Sequence, residues 1–234
     1  MELEAGGDTH QRVLPDRIVA GVIAALVFDL DNCLAAADEP GPHVLTPTFD
    51  AIRRANRGTL PDDTLARAFD DCWRNPLDWV AAKHGFSPEM LAAGWEVNAR
   101  AEVTTRMGGY GDLDVLSELP EPRFLVTSGF RRLQESKVRA LGIQPYFERV
   151  FVDAIDEPNR RGKAGIFRHI LGEYGFAPDE VMVLGDSEHS EIAAGNQLGM
   201  TTVQILRPGV TRATTAAHVV ANLGELRALL VRAR

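Results

Sequence analysis

The chain has 234 residues, 45% of them hydrophobic, and a formal net charge of −8. This length fits one large domain, or a core domain with a modest second one, and the negative charge argues against a broad nucleic-acid-binding surface. The two cysteines, Cys33 and Cys72, are too few for a disulfide framework or a cysteine-based metal cluster. A reducing cytoplasm is therefore the expected location.

Residues 1–16 are expected to form a loose lead-in to the first strand. They carry no basic segment ahead of an apolar one, so they do not have the pattern of a secretory signal. The most apolar stretch, from Ile18 to Phe28, is about half as long as a membrane span requires. The sequence therefore predicts no membrane partner, and it carries no signal for an oligomeric state.

An apolar run from Gly21 to Phe28 ends abruptly in two acids, Asp29 and Asp31. The run predicts a buried strand in a parallel sheet, and chemistry in such sheets takes place beyond the carboxyl ends of the strands. Two close carboxylates repel each other unless a cation or a proton lies between them, and Mg²⁺ prefers oxygen ligands. For an isolated pair of this kind, the simpler interpretation is that the acids solvate a strand end or cap a helix.

The next part of the chain has a helical pattern. Turn-forming residues at 38–42 predict a linker, and helical spacing of apolar residues extends from about Thr46 to about Met107. All three tryptophans lie in this block. It is therefore predicted to be a small helical subdomain with its own apolar core, and an aromatic cage for a ligand is the alternative.

The remainder of the chain alternates between strands and helices, which predicts βαβ units and a parallel α/β sheet. Strands are expected at 123–127, 149–153, 180–184, 201–206 and 218–220, and helices at 131–141, 162–174, 191–198 and 223–231. Polar groups follow or flank these strands, as Asp29 and Asp31 follow the first one. They are Thr127, Ser128, Gly129, Lys163, Asp186 and Glu191.

In this order, the groups resemble the four motifs of the haloacid dehalogenase (HAD) superfamily of hydrolases. The matching segments are 27–32, 125–129, Lys163 and 183–187 with Glu191. The resemblance covers residues 17–34 and 108–210. It implies a Rossmann-like parallel sheet core flanked by helices, formed by residues 17–36 and 108–234, and an inserted all-helical cap domain formed by residues 37–107.

The resemblance also implies an activity, which is the Mg²⁺-dependent hydrolysis of a small phosphorylated metabolite. Asp29 would attack phosphorus and form an aspartyl-phosphate, and Asp31 would act as the general acid and base. Mg²⁺ would bind Asp29, the backbone carbonyl of Asp31, and Asp186. Glu191 would orient the metal or its waters. The family more often has Asp at this position, which argues against Glu191 as a direct metal ligand.

The phosphoryl group would be held by residues from the second and third motifs. Thr127 would donate a hydrogen bond to it, backbone N–H groups near Ser128 and Gly129 would assist, and Lys163 would neutralise charge. Sugar phosphates, nucleoside monophosphates and small phospho-acids all remain open as substrates, because selectivity is expected to come from the cap.

Other activities have less support from the sequence. A 2-haloacid dehalogenase uses the same first acid but lacks an acid two residues later, so Asp31 argues against it. A phosphomutase of the same superfamily stays open. Outside the superfamily, a phospho-acceptor receiver domain is about half this length and has no helical insert, and a catalytically silent phospho-ligand-binding protein would not need every catalytic position filled.

Several other residues have two interpretations each. Cys33, close to the predicted nucleophile, is a small buried residue that supports the loop, or a redox-sensitive thiol. His189 is expected to be a surface residue rather than a catalyst. Lys83, His84 and Arg100 in the helical block are candidates for facing a substrate, and the sequence does not choose among them.

Overall fold

The structure is a computed structural model that describes residues 22–120 and 122–232. The predicted lead-in, residues 1–16, lies outside the described residues, and so does the start of the first predicted strand at Gly21. Within the described part of the chain, no helix combines the length and the apolar character that crossing a membrane requires.

Six strands form one sheet in which every neighbouring pair is parallel, with the order β3-β2-β1-β4-β5-β6. The strands are β1 (Ala25–Phe28), β2 (Arg123–Gly129), β3 (Arg149–Ala154), β4 (Val181–Gly185), β5 (Thr201–Ile205) and β6 (His218–Val220). The first strand is shorter than predicted because its paired residues begin only at Ala25, where β4 runs beside it.

The continuous apolar run of β1 follows from its burial on both faces. Leu26 and Phe28 belong to one apolar cluster, whereas Ala25 and Val27 belong to another cluster on the opposite face. Successive residues of a strand point to opposite faces, so a strand covered on both sides has no polar alternation.

Eight α-helices accompany the sheet in the described residues, and they divide into two groups. The helical cap consists of α1 (Thr46–Asn56), α2 (Asp62–Asp71), α3 (Leu77–His84) and α4 (Pro88–Asn98). The other helices follow strands of the sheet, and they are α5 (Arg131–Leu141), α6 (Gly162–Tyr174), α7 (Ala193–Leu198) and α8 (Leu223–Arg232). This arrangement confirms the predicted fold class, a parallel sheet flanked by helices with an all-helical insert.

The helical cap has an apolar core that continues onto the sheet domain. Phe49 stacks on Phe69 with 4.4 Å between the ring centroids, and Trp73 meets Phe49 edge-on. Trp95 meets Phe130, which precedes α5, at 4.8 Å. The tryptophans therefore serve partly as core residues, as predicted, and one of them joins the cap to the sheet domain.

The two segments that connect the cap to the sheet domain lie side by side. The Glu39 carboxylate accepts hydrogen bonds from the backbone N–H groups of Gly108, at 2.5 Å, and Gly109, at 3.1 Å. The N–H of Tyr110 donates to the carbonyl of Leu34 at 3.2 Å. Glu39 therefore ties the entry and exit of the cap together.

The helix predicted for residues 191–198 begins differently in the structure. A π-helical turn, Glu188–Ile192, precedes α7, which starts only at Ala193. Such turns are rare and concentrate at functional sites, because the wider turn changes where the side chains point. Here the turn brings the Glu191 side chain, which is 2% exposed, into the interior.

Two helical glycines allow a test of the packing between α1 and α4. A Cβ atom on Gly94 would lie 2.7 Å from Cγ1 of the buried Ile52, whereas a Cβ atom on Gly172 in α6 would have nothing within 4 Å. Alanine normally stabilises a helix interior by roughly 0.5–1 kcal/mol relative to glycine. We expect Gly172→Ala to show this gain and Gly94→Ala to lower the free energy of unfolding by about 1–3 kcal/mol through overpacking.

Urea unfolding followed by circular dichroism measures both variants on the same scale. Both variants replace glycine with alanine, so the change in helix propensity is the same in each. Only the atoms around the new methyl group differ. Equal stabilisation by the two substitutions would show that α1 and α4 do not approach as closely as the structure has them.

Candidate active site

Three neighbouring strands end at the same place. Phe28, the last residue of β1, pairs with Leu125 of β2 on one side and with Leu184 of β4 on the other. The residues that follow β1 and β4, and those at the end of β2, therefore meet at the carboxyl edge of the sheet. They line a cleft of 630 Å³ between the sheet and the helical cap.

Asp29, Lys163 and Glu191 form a buried charged cluster at the centre of this edge. The Lys163 Nζ donates to Asp29 Oδ1 at 2.6 Å and also contacts Glu191 Oε1. All three residues are less than a tenth exposed. The sequence placed these residues on three separate elements, and the structure brings them together.

The Glu191 carboxylate is held by its own turn. Ser190 Oγ donates to Oε1 at 2.7 Å, and the N–H of Ser187 donates to Oε2 at 3.2 Å. A Cβ atom on Gly185 would lie 2.5 Å from the Glu191 Cγ. Glycine at the end of β4 is therefore needed for the Glu191 side chain to pass.

Asp186, directly after β4, completes a group of acids that fits a cation. One carboxylate oxygen from each of Asp29, Asp186 and Glu191 lies within 4.8 Å of the others. If all three are ionised, Lys163 leaves a surplus of two negative charges, which a divalent ion with oxygen ligands would neutralise. The donor set therefore suits Mg²⁺.

The electrostatics of these acids agree with that fit. Burial raises the pKa of Asp186 to about 7, and the neighbouring Asp29 charge adds to the rise. Burial also raises the pKa of Asp29, although Lys163 acts to lower it. Carboxyl groups in this state gain from a nearby positive charge, because their ionised forms are poorly solvated.

Asp31 occupies a different environment from Asp29. Its Oδ1 accepts a hydrogen bond from Lys137 Nζ at 2.7 Å, and its Oδ2 accepts one from Gln134 Nε2 at 3.0 Å. Among the described residues, the acids that could together hold a cation are Asp29, Asp186 and Glu191, called here the cation-holding group. The side-chain oxygens of Asp31 do not belong to it. The predicted metal contact of Asp31 was through its backbone carbonyl, so its side chain remains separate from that group.

Lys137 and Gln134 were not predicted from the sequence as site residues. Both lie on the buried side of α5, three residues apart, and they are 6% and 4% exposed. Polar residues at helical spacing within an otherwise apolar face were the available signal. That signal does not name a partner, because Asp31 is more than 100 residues away.

The end of β2 contributes the predicted Thr127, Ser128 and Gly129, which line the cleft. Thr127 is buried, whereas the Ser128 hydroxyl is engaged elsewhere and donates to Asp153 Oδ2 at 3.1 Å. Asp153 also accepts from the N–H of Gly162 at 2.9 Å. Asp153 thus links the end of β2 to the start of α6, where Lys163 lies.

Arg160 connects the sheet domain to the helical cap. Its Nε donates to Asp153 Oδ2 at 2.8 Å, and its Nη1 donates to Asp78 Oδ2 of α3 at 3.2 Å. Two acids therefore lie within reach of the Arg160 guanidinium, one on each side of the cleft. Neither acid was predicted from the sequence as a site residue.

Several open interpretations are resolved by position. Cys33 is fully buried, and burial raises the pKa of its thiol well above the usual value, which favours a supporting role over redox chemistry. His189 is exposed and lines the cleft. The cleft is also lined by Trp73 and Trp79, so two of the three tryptophans face it.

The three cap residues considered as substrate contacts do not line the cleft in the described structure. Lys83 and His84 both contact Asp71 at 2.7 Å, and Arg100 contacts Glu96 on its own helix. Each of these three side chains contacts an acid of the cap.

Comparison with known proteins places this geometry in a family. A family model described as a haloacid dehalogenase-like hydrolase matches residues 23–199. A glyceraldehyde 3-phosphate phosphatase from Methanopyrus kandleri is 26% identical over 202 residues, which are 80% of this chain and 85% of that protein. A pyrimidine 5'-nucleotidase from Streptococcus pneumoniae is 25% identical over 115 residues, so the chain matches only 48% of its length.

Other relatives are matched in part. An N-acylneuraminate-9-phosphatase from Rattus norvegicus is 29% identical over half of each chain. Among solved structures, a haloacid dehalogenase-like hydrolase from Streptococcus pneumoniae has a TM-score of 0.63 at 17% identity, covering 88% of this chain and 98% of that one. A HAD phosphatase from Thermococcus onnurineus has a TM-score of 0.59 at 21% identity, covering 88% and 97%.

At these identities, the similarity to solved structures concerns the fold alone. The family model, in contrast, spans both the four motifs and the helical insert between the first two. The residues that the sequence placed in the four motifs meet at one edge of the sheet. The chain therefore belongs to the haloacid dehalogenase-like hydrolases, and it is a hydrolase.

Proposed function

We propose that the protein is a Mg²⁺-dependent phosphatase that hydrolyses a small phosphomonoester through an aspartyl-phosphate. The observation that carries the proposal is the buried Asp29 carboxylate, held by Lys163 at 2.6 Å beside two further acids at the floor of a cleft. The phosphatase and nucleotidase names of its relatives support a phosphate ester as the substrate.

In the first step, Asp29 forms a bond to phosphorus while the bond to the leaving oxygen breaks. Lys163 holds Asp29 Oδ1, which leaves Oδ2 as the attacking atom. Lys163 also neutralises charge on the incoming phosphoryl group. Thr127, with backbone N–H groups of Ser128 and Gly129, lies at the cleft where it would hold the phosphoryl oxygens.

Asp31 moves the protons in both steps. It gives a proton to the departing alkoxide. In the second step it takes a proton from the water that attacks phosphorus, while the bond from phosphorus to Asp29 breaks and inorganic phosphate leaves. Lys137 and Gln134 both donate to its side chain and fix the position of its two oxygens. These two residues keep the proton-transfer group beside the nucleophile without drawing it into the cation-holding group.

The cation would be held by Asp29, Asp186 and the backbone carbonyl of Asp31. Bound there, Mg²⁺ offsets the repulsion between an anionic nucleophile and an anionic substrate. Glu191 has both carboxylate oxygens engaged, by Lys163, Ser190 and Ser187, so we assign it the role of fixing Lys163 and orienting the cation site.

We further propose that residues 37–107 form a cap domain that moves relative to a core domain of residues 17–36 and 108–234. The connecting segments, near 35–43 and 105–111, are joined by the hydrogen bonds from Gly108 and Gly109 to Glu39. Across the cleft, Arg160 contacts Asp78, and Arg74 of the cap donates to the carbonyl of Gly209 at 3.3 Å. These are the polar contacts that opening would break, and closing would exclude water.

Asp29→Asn is expected to lower the turnover of para-nitrophenyl phosphate by at least about 1,000-fold, because an amide oxygen is a poor nucleophile of nearly the same size. The exposed acid Asp179 provides the matched control, and Asp179→Asn should retain full turnover. Release of inorganic phosphate under single-turnover conditions is the measurement. Rates from Asp29→Asn equal to those of the control would disprove the assignment of the nucleophile.

Removal of divalent ions with EDTA is expected to abolish activity, and added Mg²⁺ should restore it. Asp186→Asn should raise the Mg²⁺ concentration needed for half-maximal activity by about 10–100-fold, because one anionic ligand becomes a neutral one. Calorimetric titration of Mg²⁺ into each protein measures the same change without turnover. Full activity after exhaustive chelation would exclude the proposed site.

Asp31→Asn is expected to separate the two steps. Para-nitrophenolate leaves without a proton, so aspartyl-phosphate should form in a burst and then persist, with steady-state turnover reduced by about 10²–10⁴-fold. Mass spectrometry of the rapidly quenched variant should find added phosphate on the peptide that contains Asp29. An unmodified peptide together with undiminished turnover would mean that Asp31 is not the proton-transfer residue.

A further inference from the structure

Three buried polar atoms at the cleft have no hydrogen-bonding partner among the described residues. They are Thr48 Oγ1, Asn98 Oδ1 and Gln134 Oε1, and all three residues line the cleft. The residues are 1%, 7% and 4% exposed, respectively. Leaving such groups unsatisfied is costly and uncommon in proteins, so a group that occupies the cleft is the natural partner.

The orientation of Gln134 is fixed by its other contacts. Its Nε2 donates to Asp31 Oδ2 at 3.0 Å and to the carbonyl of Ser128 at 2.9 Å. Both partners are acceptors, so the nitrogen cannot exchange places with the oxygen without losing two hydrogen bonds. The free atom of Gln134 is therefore an acceptor, and it lies next to the group that protonates the leaving alkoxide.

Thr48 and Asn98 belong to the part of the cap nearest the sheet domain. Gly94 of α4 lies against Ile52 of α1. The chain enters the cap at the start of α1 and leaves it at the end of α4, so the two helices run in opposite directions. Thr48 lies one turn before Ile52 on α1, and Asn98 lies one turn after Gly94 on α4. Both unpartnered groups therefore belong to the cap side of the cleft.

Among the described residues, three of the four lysines and arginines that line the cleft are paired with acids, and the exposed Arg74 is not. Of the lysines and arginines that line it, Lys137 and Lys163 contact acids at its floor. Arg160 contacts two acids, and Arg74 donates to the carbonyl of Gly209. At Asn98 Oδ1 and Gln134 Oε1, a carboxylate on the leaving group would meet unpartnered acceptors, which is unfavourable.

Resting on the phosphatase function proposed above, we propose that Thr48, Asn98 and Gln134 form a specificity subsite for an uncharged leaving group that presents O–H or N–H donors. Its substrates are then hydroxyl-bearing phosphomonoesters, such as sugar or polyol phosphates or nucleoside monophosphates, and not phospho-acids. The amide oxygens accept hydrogen bonds from the leaving group, and the threonine hydroxyl accepts or donates one.

A matched pair of substrates tests the class. Glycerol 3-phosphate and 3-phosphoglycerate differ only in a terminal hydroxymethyl group or carboxylate. We expect kcat/KM to be at least about tenfold higher for glycerol 3-phosphate, because polar sites discriminate strongly against a group that leaves them unpaired. Equal values, or a preference for 3-phosphoglycerate, would overturn the proposal.

A second comparison separates the two sources of the donor-bearing group. Ribose 5-phosphate and uridine 5'-monophosphate share the 2- and 3-hydroxyls of ribose, and the nucleotide carries at C1 a base that can stack on Trp73 and Trp79 in place of the anomeric hydroxyl. A higher kcat/KM for either one supports the subsite and identifies its source. Turnover of neither, in protein that does hydrolyse para-nitrophenyl phosphate and 3-phosphoglycerate, would overturn it.

The double substitution Thr48→Val and Asn98→Leu removes the two cap acceptors at nearly constant volume. We expect kcat/KM for the preferred ester to fall by about 10–100-fold more than kcat/KM for para-nitrophenyl phosphate, which carries no donor on its leaving group. Thr64→Val is the matched control, because Thr64 lies on α2 and does not line the cleft. The control should leave the ratio of the two values unchanged.

Thermal unfolding gives a readout that does not depend on activity. Replacing unsatisfied buried polar groups with apolar groups of similar shape is neutral or stabilising, so Tm of the double variant should equal or exceed that of the natural protein. A lower Tm together with equal losses on both substrates would mean that the groups are structural, and would overturn the proposal. Absence of any phosphate release from para-nitrophenyl phosphate by the natural protein would instead refute the phosphatase function itself.

Discussion

The site depends on a concentration of buried negative charge at the carboxyl end of the central strand. Asp29, Asp186 and Glu191 approach one another within 4.8 Å, and Lys163 is the only cation that contacts this group among the described residues. Buried charges are costly unless they are paired, so the arrangement is stable in its ionised form only with further positive charge. Burial, together with the neighbouring Asp29 charge, raises the pKa of Asp186, and the same surroundings favour a cation beside these acids.

The fold supplies this concentration of charge through the position of β1. Lying between β2 and β4, β1 places Asp29 where the ends of both neighbours converge. A wide π-helical turn then directs Glu191 inward, and Gly185 leaves room for its side chain. Asp31, only two residues from Asp29, has its own cation in Lys137. Two acids with nearly the same sequence context thus acquire different surroundings, which is how one site can contain a nucleophile and a separate proton-transfer group.

In the proposed mechanism, recognition of the leaving group and the chemical steps take place on opposite sides of the cleft. Charged groups concentrate on the sheet side, where the phosphoryl group would bind, whereas the cap side offers the uncharged Thr48 and Asn98. Two polar contacts cross the cleft, from Arg160 to Asp78 and from Arg74 to the carbonyl of Gly209, and such partly exposed contacts contribute little individually. Packing of Trp95 on Phe130 also joins the cap to the sheet domain.

The sequence alone determined the order of strands and helices along the chain, because uninterrupted apolar runs and the helical spacing of apolar residues indicate which segments are buried. It also determined which acids lie at strand ends, because these acids directly follow the apolar runs. The start of β1 and the turn before α7 were predicted less well, since pairing with neighbours and the inward pull on Glu191 decide them. Lys137, Gln134, Thr48 and Asn98 emerged only from the tertiary structure. Each is a polar residue on a helix, and its importance depends on the side chains that face it across the cleft. Helical periodicity describes the faces of a single element and does not give the distance between side chains from different elements.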